Sequence, residues 1–217
     1  TDIGWKGFED GADSGVYAVA PLARLNVADG MATPIAQEAY EQFYLTLGGK
    51  PVHHTLAFHW ARLVECLFAC EESLRLARDP EITSPEVRTV PTGRPTAGVG
   101  VVEAPRGTLY HHYETDPMGM VKAVNLIVAT VQNNAAMNMS VRRAAEAYIH
   151  DGEVDDGILN RVEMAFRAYD PCLACATHTL PGTMPLTVRV HDRNGEVQVI
   201  RRQRRTVSCK RSLSEGK

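Results

Sequence analysis

Two cysteines set three apart behind an Asp-Pro pair constrain this chain more than any other feature. The stretch runs Arg167-Ala168-Tyr169-Asp170-Pro171-Cys172-Leu173-Ala174-Cys175-Ala176-Thr177-His178. Asp before Pro predicts a helix start, with Asp170 capping free N–H groups and Pro171 at the first helical position. Cys172 and Cys175 would then share one face of the first turn. There the positive end of the helix dipole favours thiolate over thiol. Two thiolates, with His178 three residues on, form a soft half-site for a metal. The remaining ligands must come from elsewhere.

Taken alone, a CxxC admits other readings: half of a structural zinc site, a redox dithiol, or two buried cysteines at a helix start. The chain has no second CxxC to complete a zinc site. No βα unit precedes the motif, as a thioredoxin-like dithiol would require. The five cysteines of the 217-residue chain do not resemble a secreted disulfide framework, and point to a reducing, cytoplasmic setting. The charge is uneven. Thr179–Lys217 carries nine basic and three acidic residues, a net +6, against −9 for the remainder. A basic tail raises nucleic acid as a partner, but the body offers no basic aromatic face to bind one. No apolar run approaches the length of a membrane span, and no signal peptide is visible.

The periodicity predicts an α+β protein, mainly α. Residues 1–20 read as an irregular lead-in, followed by Pro21-Leu22-Ala23-Arg24-Leu25-Asn26, where Arg24 looks like an ordinary polar loop residue. Thr33-Pro34 should open a helix over 34–48 with Ile35, Ala39, Phe43 and Leu47 inward, stopped by Gly48-Gly49. A long helix follows over 52–78. His59, Leu63, Cys66, Cys70 and Leu74 fall on one stripe of it, which reads as a packed face rather than a metal site. A Pro- and Gly-rich connector over 79–98 leads to a β-meander at 99–104, 107–115 and 121–131, with a turn at Asp116-Pro117-Met118-Gly119. Pro105-Arg106-Gly107 puts an arginine at a tight loop tip. Adjacent strand residues His111 and His112 must face opposite ways and read as structural or surface residues. Helices over 133–149, opened by an Asn cap, and 154–168 deliver the chain to Asp170. Leu186, Val188 and Val190, then Asn194-Gly195, then Val197 and Val199 predict a hairpin. Beyond Arg201 the composition predicts disorder.

Several of these strings resemble the large subunits of nickel–iron hydrogenases. Asp-Pro-Cys-x-x-Cys-x-x-His is similar to the family's C-terminal metal-binding signature, Pro-Leu-Ala-Arg-x-Asn to another of its segments, and Glu103-Ala104-Pro105-Arg106-Gly107 to a third. The wording, with His59-Trp60-Ala61-Arg62-Leu63, looks most like the cytoplasmic branch, the methyl-viologen-reducing and NAD(P)-linked enzymes. The resemblance implies a nickel–iron centre with small inorganic ligands and heterolytic cleavage or formation of dihydrogen. Electrons would pass to an iron–sulfur small subunit. By position, Cys172 matches the terminal nickel ligand and Cys175 the cysteine bridging nickel and iron. Arg106 and Asp170 match residues above the open metal position. Pro105, Thr130 and Asn134 fall in segments that contact the inorganic ligands. His178 matches the residue near a Mg2+-type ion after which a maturation endopeptidase cuts.

Two departures carry consequences. The family's upstream R-x-C-G-x-C motif is absent, since Cys66 and Cys70 have neither its glycine nor its interval. Residues 1–178 therefore look like the C-terminal half of a large subunit: a fragment, a split gene product or a truncated homologue. The missing N-terminal half becomes an expected partner, and apolar faces should be exposed where it belongs. Residues 179–217 look like a cleavable extension. The competing expectations are a non-catalytic, hydrogenase-like component of an electron-transfer complex and an unrelated zinc module.

Overall fold

A computed structural model describes residues 7–9, 11, 14–172, 186–192 and 195–202. The fold is α+β and mainly α, as the periodicity indicates. Among the described residues, helices α1 (Pro21–Val27), α2 (Pro34–Leu47) and α3 (Ala57–Ala77) come first. The antiparallel meander β1 (Ala97–Ala104), β2 (Gly107–Thr115) and β3 (Val121–Ile127) follows. Helices α4 (Asn134–Tyr148) and α5 (Asp156–Arg167) and the hairpin β4 (Leu186–Asp192) and β5 (Gly195–Arg202) complete it. The third strand is shorter than expected, because Ala129–Asn133 winds into a 3-10 turn. The expected tail beyond residue 202 lies outside the described residues.

The core sits where α1, α2 and α3 meet the end of α5. Leu22, Leu25, Tyr40, Phe43, Phe58, Ala61, Val64, Ala168 and Tyr169 pack there. Phe43 stands edge-on to Trp60 with ring centroids 5.2 Å apart, a favoured aromatic geometry. The buried residues of α2 are Ala36, Tyr40 and Phe43; of the expected stripe Phe43 is buried, Ala39 and Leu47 pack against the core, and Ile35 alone is exposed. Tyr40 claims the inward position because its hydroxyl reaches the Ala28 carbonyl at 2.8 Å. Gly48 ends α2 in the left-handed conformation at φ 86°, which glycine adopts without steric cost.

Three expectations need correction. The segment with Arg24 is a helix, α1, and not a loop. Pro21 starts it, and buried Leu22 and Leu25 hold it on the core. The stripe Leu63, Cys66, Cys70 and Leu74 with His59 is not a packed face: all five residues are exposed, Leu63 by 67%. The face of α3 that packs is Ala57, Phe58, Ala61 and Val64. Thr33 makes no cap bond of its own. Instead Glu71 reaches across from α3 and accepts from the Thr33 hydroxyl at 2.7 Å and the Ala36 amide at 2.9 Å. A carboxylate at a helix N-terminus serves both the free amides and the dipole.

The Thr33 hydroxyl, with the Ala36 and Ile35 amides, holds Glu71 below its ordinary pKa against the opposing effect of desolvation. A lowered folded-state pKa contributes stability above the unfolded value, which is lost as pH falls through the folded value. Glu71→Gln is therefore expected to flatten the fall in thermal stability on acidification below about pH 4.3. Melting curves across that range read the effect; an unchanged slope would remove Glu71 from the cap.

Candidate metal centre

The β1–β2 connection is two residues long, Pro105 and Arg106, with Ala104 paired to Gly107. Proline cannot take the positive φ that primed hairpin turns require. Gly107 takes the positive φ instead, at 136°. A Cβ there would lie 2.3 Å from a Val19 methyl carbon and 3.1 Å from the Ala129 carbonyl oxygen. Only glycine fits. The turn is thus pressed against the lead-in segment and the 3-10 turn.

Side chains from distant elements serve the turn's carbonyls. Arg24 donates from Nη1 to the Ala104 carbonyl at 3.0 Å and from Nη2 to the Pro105 carbonyl at 2.9 Å. Asn133, fully buried, sends Nδ2 toward the Arg106 carbonyl at 3.5 Å and accepts the Val19 amide on Oδ1 at 2.8 Å. Asn133 does not cap α4 as expected; its side chain makes no cap bond. It joins three segments instead.

The Arg24 guanidinium is fully committed. Nε and Nη2 donate to the two oxygens of Glu65 on α3, each at 2.6 Å, and Nη1 donates to Glu103 Oε1 at 2.6 Å. With the two carbonyls this uses all the N–H groups that arginine has. Burial by itself would lower the Arg24 pKa; the hydrogen bonds and charges of Glu65 and Glu103 outweigh it and hold it above its usual value. Glu103 also accepts the Thr108 hydroxyl at 2.6 Å.

Arg106 leans from the turn onto the end of α5. Its Nε donates to the Asp170 carbonyl at 2.7 Å and lies 3.1 Å from the Asp170 carboxylate. Its Nη groups have no partner among the described residues. Asp170 is fixed from behind. Arg62 on α3 donates to the Ala168 carbonyl at 2.9 Å. Tyr169 is buried against Phe58, rings 4.5 Å apart, and its hydroxyl meets Ser140 at 2.9 Å.

The expected cap at Asp170 is not formed in the expected way. Asp170 stands at φ +53°, outside the extended conformation of an N-cap residue. Residues 171–172 are not helical. The Asp170 side chain goes to Arg106, and its amide closes α5 onto the Arg167 carbonyl at 3.0 Å. A left-handed non-glycine residue costs energy and persists where its surroundings hold it. Here the holders are Arg106 on one side and Tyr169 on the other.

Cys172 is half-buried and disulfide-bonded. The cysteine count did not foresee this bond. A disulfide sulfur has no thiolate to offer, so metal uptake at Cys172 needs the reduced form. Cys175 and His178 lie outside the described residues. The structure thus brings Arg106, Asp170 and Cys172 together at one end of α5. Pro105 is exposed at the turn, while Thr130 lies in the 3-10 turn and makes no side-chain hydrogen bond among the described residues. Asn134 is exposed. No group of three or more metal-ligating side chains occurs among the described residues. The donor set fits a thiolate-bound metal as part of a ligand set. It comprises a cysteine two residues after Asp170 and, on Asp170 itself, a guanidinium whose Nη edge faces no acceptor among the described residues.

The chain as a whole matches a known class. The family model described as nickel-dependent hydrogenase matches residues 13–178, and the chain belongs to that family. It is 52% identical over 196 residues to an iron-sulfur subunit of the F420-non-reducing hydrogenase of Archaeoglobus profundus, covering 90% of this chain and 40% of that relative. It is 47% identical over 192 residues to the NAD-reducing hydrogenase HoxS subunit beta of Cupriavidus necator, covering 87% and 39%. Among solved structures, the NAD+-reducing [NiFe]-hydrogenase in the H2-reduced state superposes with TM-score 0.69 at 44% identity, over 77% of this chain and 37% of that one. The chain therefore spans about 40% of the length of these curated relatives, and corresponds to a C-terminal part of them.

Sequence reasoning missed Arg24, Glu65 and Asn133. The one signal was the Pro-Leu-Ala-Arg-x-Asn string itself, which marks Arg24 and Asn26 together. Asn26 stitches α1 to Val52 through both its amide atoms, at 2.7 and 3.0 Å. Asn133→Ala is expected to leave the Val19 amide unsatisfied and cost about 1–3 kcal/mol. Chemical denaturation measures it, and a loss well under that range would mean water or backbone readily replaces the Asn133 side chain.

Proposed function

We propose that this chain is the C-terminal metal-binding part of a nickel–iron hydrogenase large subunit. It would take part in the heterolytic cleavage and formation of dihydrogen, passing electrons to an iron–sulfur small subunit. The observation that carries the reading is Arg106 Nε held between the Asp170 carbonyl and carboxylate, two residues before Cys172. Family membership over residues 13–178 supports it.

On this reading the reduced thiolates of Cys172 and Cys175 would hold the nickel–iron centre. When bound, the centre supplies the soft acceptor that an uneven split of dihydrogen requires. The chain's own residues do the rest. Arg106 would offer its Nη donors to anionic ligands on the metal. Asp170 fixes the Nε edge, so the guanidinium is oriented before any ligand arrives, as partners around a metal site do. In its reduced form Cys172 would supply a thiolate able to hold a proton at Sγ. Pro105 keeps the turn short, and Thr130 lies on the adjoining 3-10 turn.

The same reading accounts for other parts of the chain. The exposed stripe Leu63, Cys66, Cys70 and Leu74 on α3 is covered by the missing N-terminal half of the large subunit, which also supplies the remaining thiolates. The family match ends at residue 178, which supports cleavage after His178 by a maturation endopeptidase and a Mg2+ ion near that residue. Residues 179–217 are then an extension removed on metal loading. Among the described residues no helix is long and apolar enough to cross a membrane, and the proposed setting is cytoplasmic. The relatives' names include NAD-reducing and F420-non-reducing enzymes, so the electron acceptor is set by the partners.

Cys172→Ser in the assembled enzyme is expected to abolish both nickel retention and hydrogen uptake, because a hydroxyl does not ionise as a soft ligand. Metal analysis with a hydrogen-uptake assay reads both. Wild-type metal content and turnover in the variant would reject the assignment.

A further inference from the structure

We infer that Arg24 is a positioning residue for Arg106, and that Glu65 is its anchor in the helical core. The inference rests on the proposed placement of Arg106 beside the metal centre. Arg24 touches none of the reacting groups. It grips the two carbonyls that immediately precede Arg106, those of Ala104 and Pro105, at 3.0 and 2.9 Å. The opposite edge of its guanidinium sits in a paired fork with Glu65, both bonds 2.6 Å. Glu65 is on α3, whose inner face packs in the core. Arg62, one turn earlier on α3, holds the Ala168 carbonyl two residues before Asp170. Helix α3 thus fixes both sides of the Arg106–Asp170 contact: the turn through Glu65 and Arg24, the α5 end through Arg62.

Besides this grip, the turn is held at its far end by Gly107, pressed against Val19 and the Ala129 carbonyl. The Arg106 carbonyl keeps the long 3.5 Å contact with Asn133, and the outer strand β1 is exposed along nearly its whole length. A hairpin tip on such a strand moves with its tether. Arginine is the side chain that can bind a carboxylate with two parallel bonds and still serve two carbonyls. Lysine, a point charge with fewer donors, can satisfy part of the set only. Its partners are carboxylates, so the grip is electrostatic as well as geometric, and at 25% side-chain exposure it is partly shielded from solvent.

The test uses the assembled, metal-loaded enzyme. Arg24→Gln is expected to keep its nickel and iron but lose roughly tenfold in hydrogen turnover, the lower end of the range for residues that orient a metal site's ligands. It should also shift the infrared stretching bands of the small inorganic ligands on iron in the same direction as Arg106→Lys does. Arg24→Lys should recover part of both. In an Arg106→Lys background, Arg24→Gln should add little. Glu65→Gln, which keeps the Arg24 side chain, provides the same readouts if Arg24→Gln fails to assemble. Bands moved by Arg106→Lys but by neither Arg24→Gln nor Glu65→Gln, or fully additive losses, would overturn this inference alone. Bands and turnover untouched by Arg106→Lys would overturn the placement of Arg106 and this inference with it.

Discussion

The arginine fork between α1 and α3 is the constraint on which the candidate site depends. Arg24 has five N–H donors and all are used, on two carboxylates and two backbone carbonyls. Bringing a guanidinium and two carboxylates partly out of water is costly, and such clusters are weak evidence for stability. Their contribution is geometric. A fork with every donor satisfied allows one arrangement of the groups around it. Here those groups are a helix of the core and the tip of a hairpin.

From that fork the site follows in two steps. The hairpin tip carries Arg106, and the core carries the end of α5. Arg106 closes the gap by donating to Asp170, whose backbone is held in a left-handed conformation. The next residues are Pro171 and Cys172. The position of the cysteine is therefore set by contacts from α3, α4 and the β1–β2 turn rather than by a helix of its own. Sub-ångström placement of a charged donor near a metal ligand matters because misplacement weakens every contact it makes in the reaction.

Much of the fold was legible from periodicity and punctuation. The meander, the stop at Gly48, the hairpin and the order of helices follow from local signals. The stripe on α3 shows the limit of such signals. Helical spacing says that Leu63, Cys66, Cys70 and Leu74 share a face, but not whether another element covers it, and here none among the described residues does. Arg24 shows a second limit. Its partners lie 41 and 79 residues away, so no local pattern betrays them. Asn133 misled for a related reason: asparagine before a helix is a sound cap signal, yet a backbone amide at Val19 competed for the side chain and won. Motif resemblance, unlike propensity, carries long-range information: it marked Arg106 and Asp170, which lie 64 residues apart and meet in the structure.

On the proposed reading, reduced Cys172 belongs to a nickel–iron centre completed by ligands from outside the described residues. The most direct measurement is metal analysis of the natively purified assembly containing this chain. Nickel and iron in equimolar amounts with the chain are predicted. Zinc in their place, or no bound transition metal in an assembly that turns over hydrogen, would contradict the account.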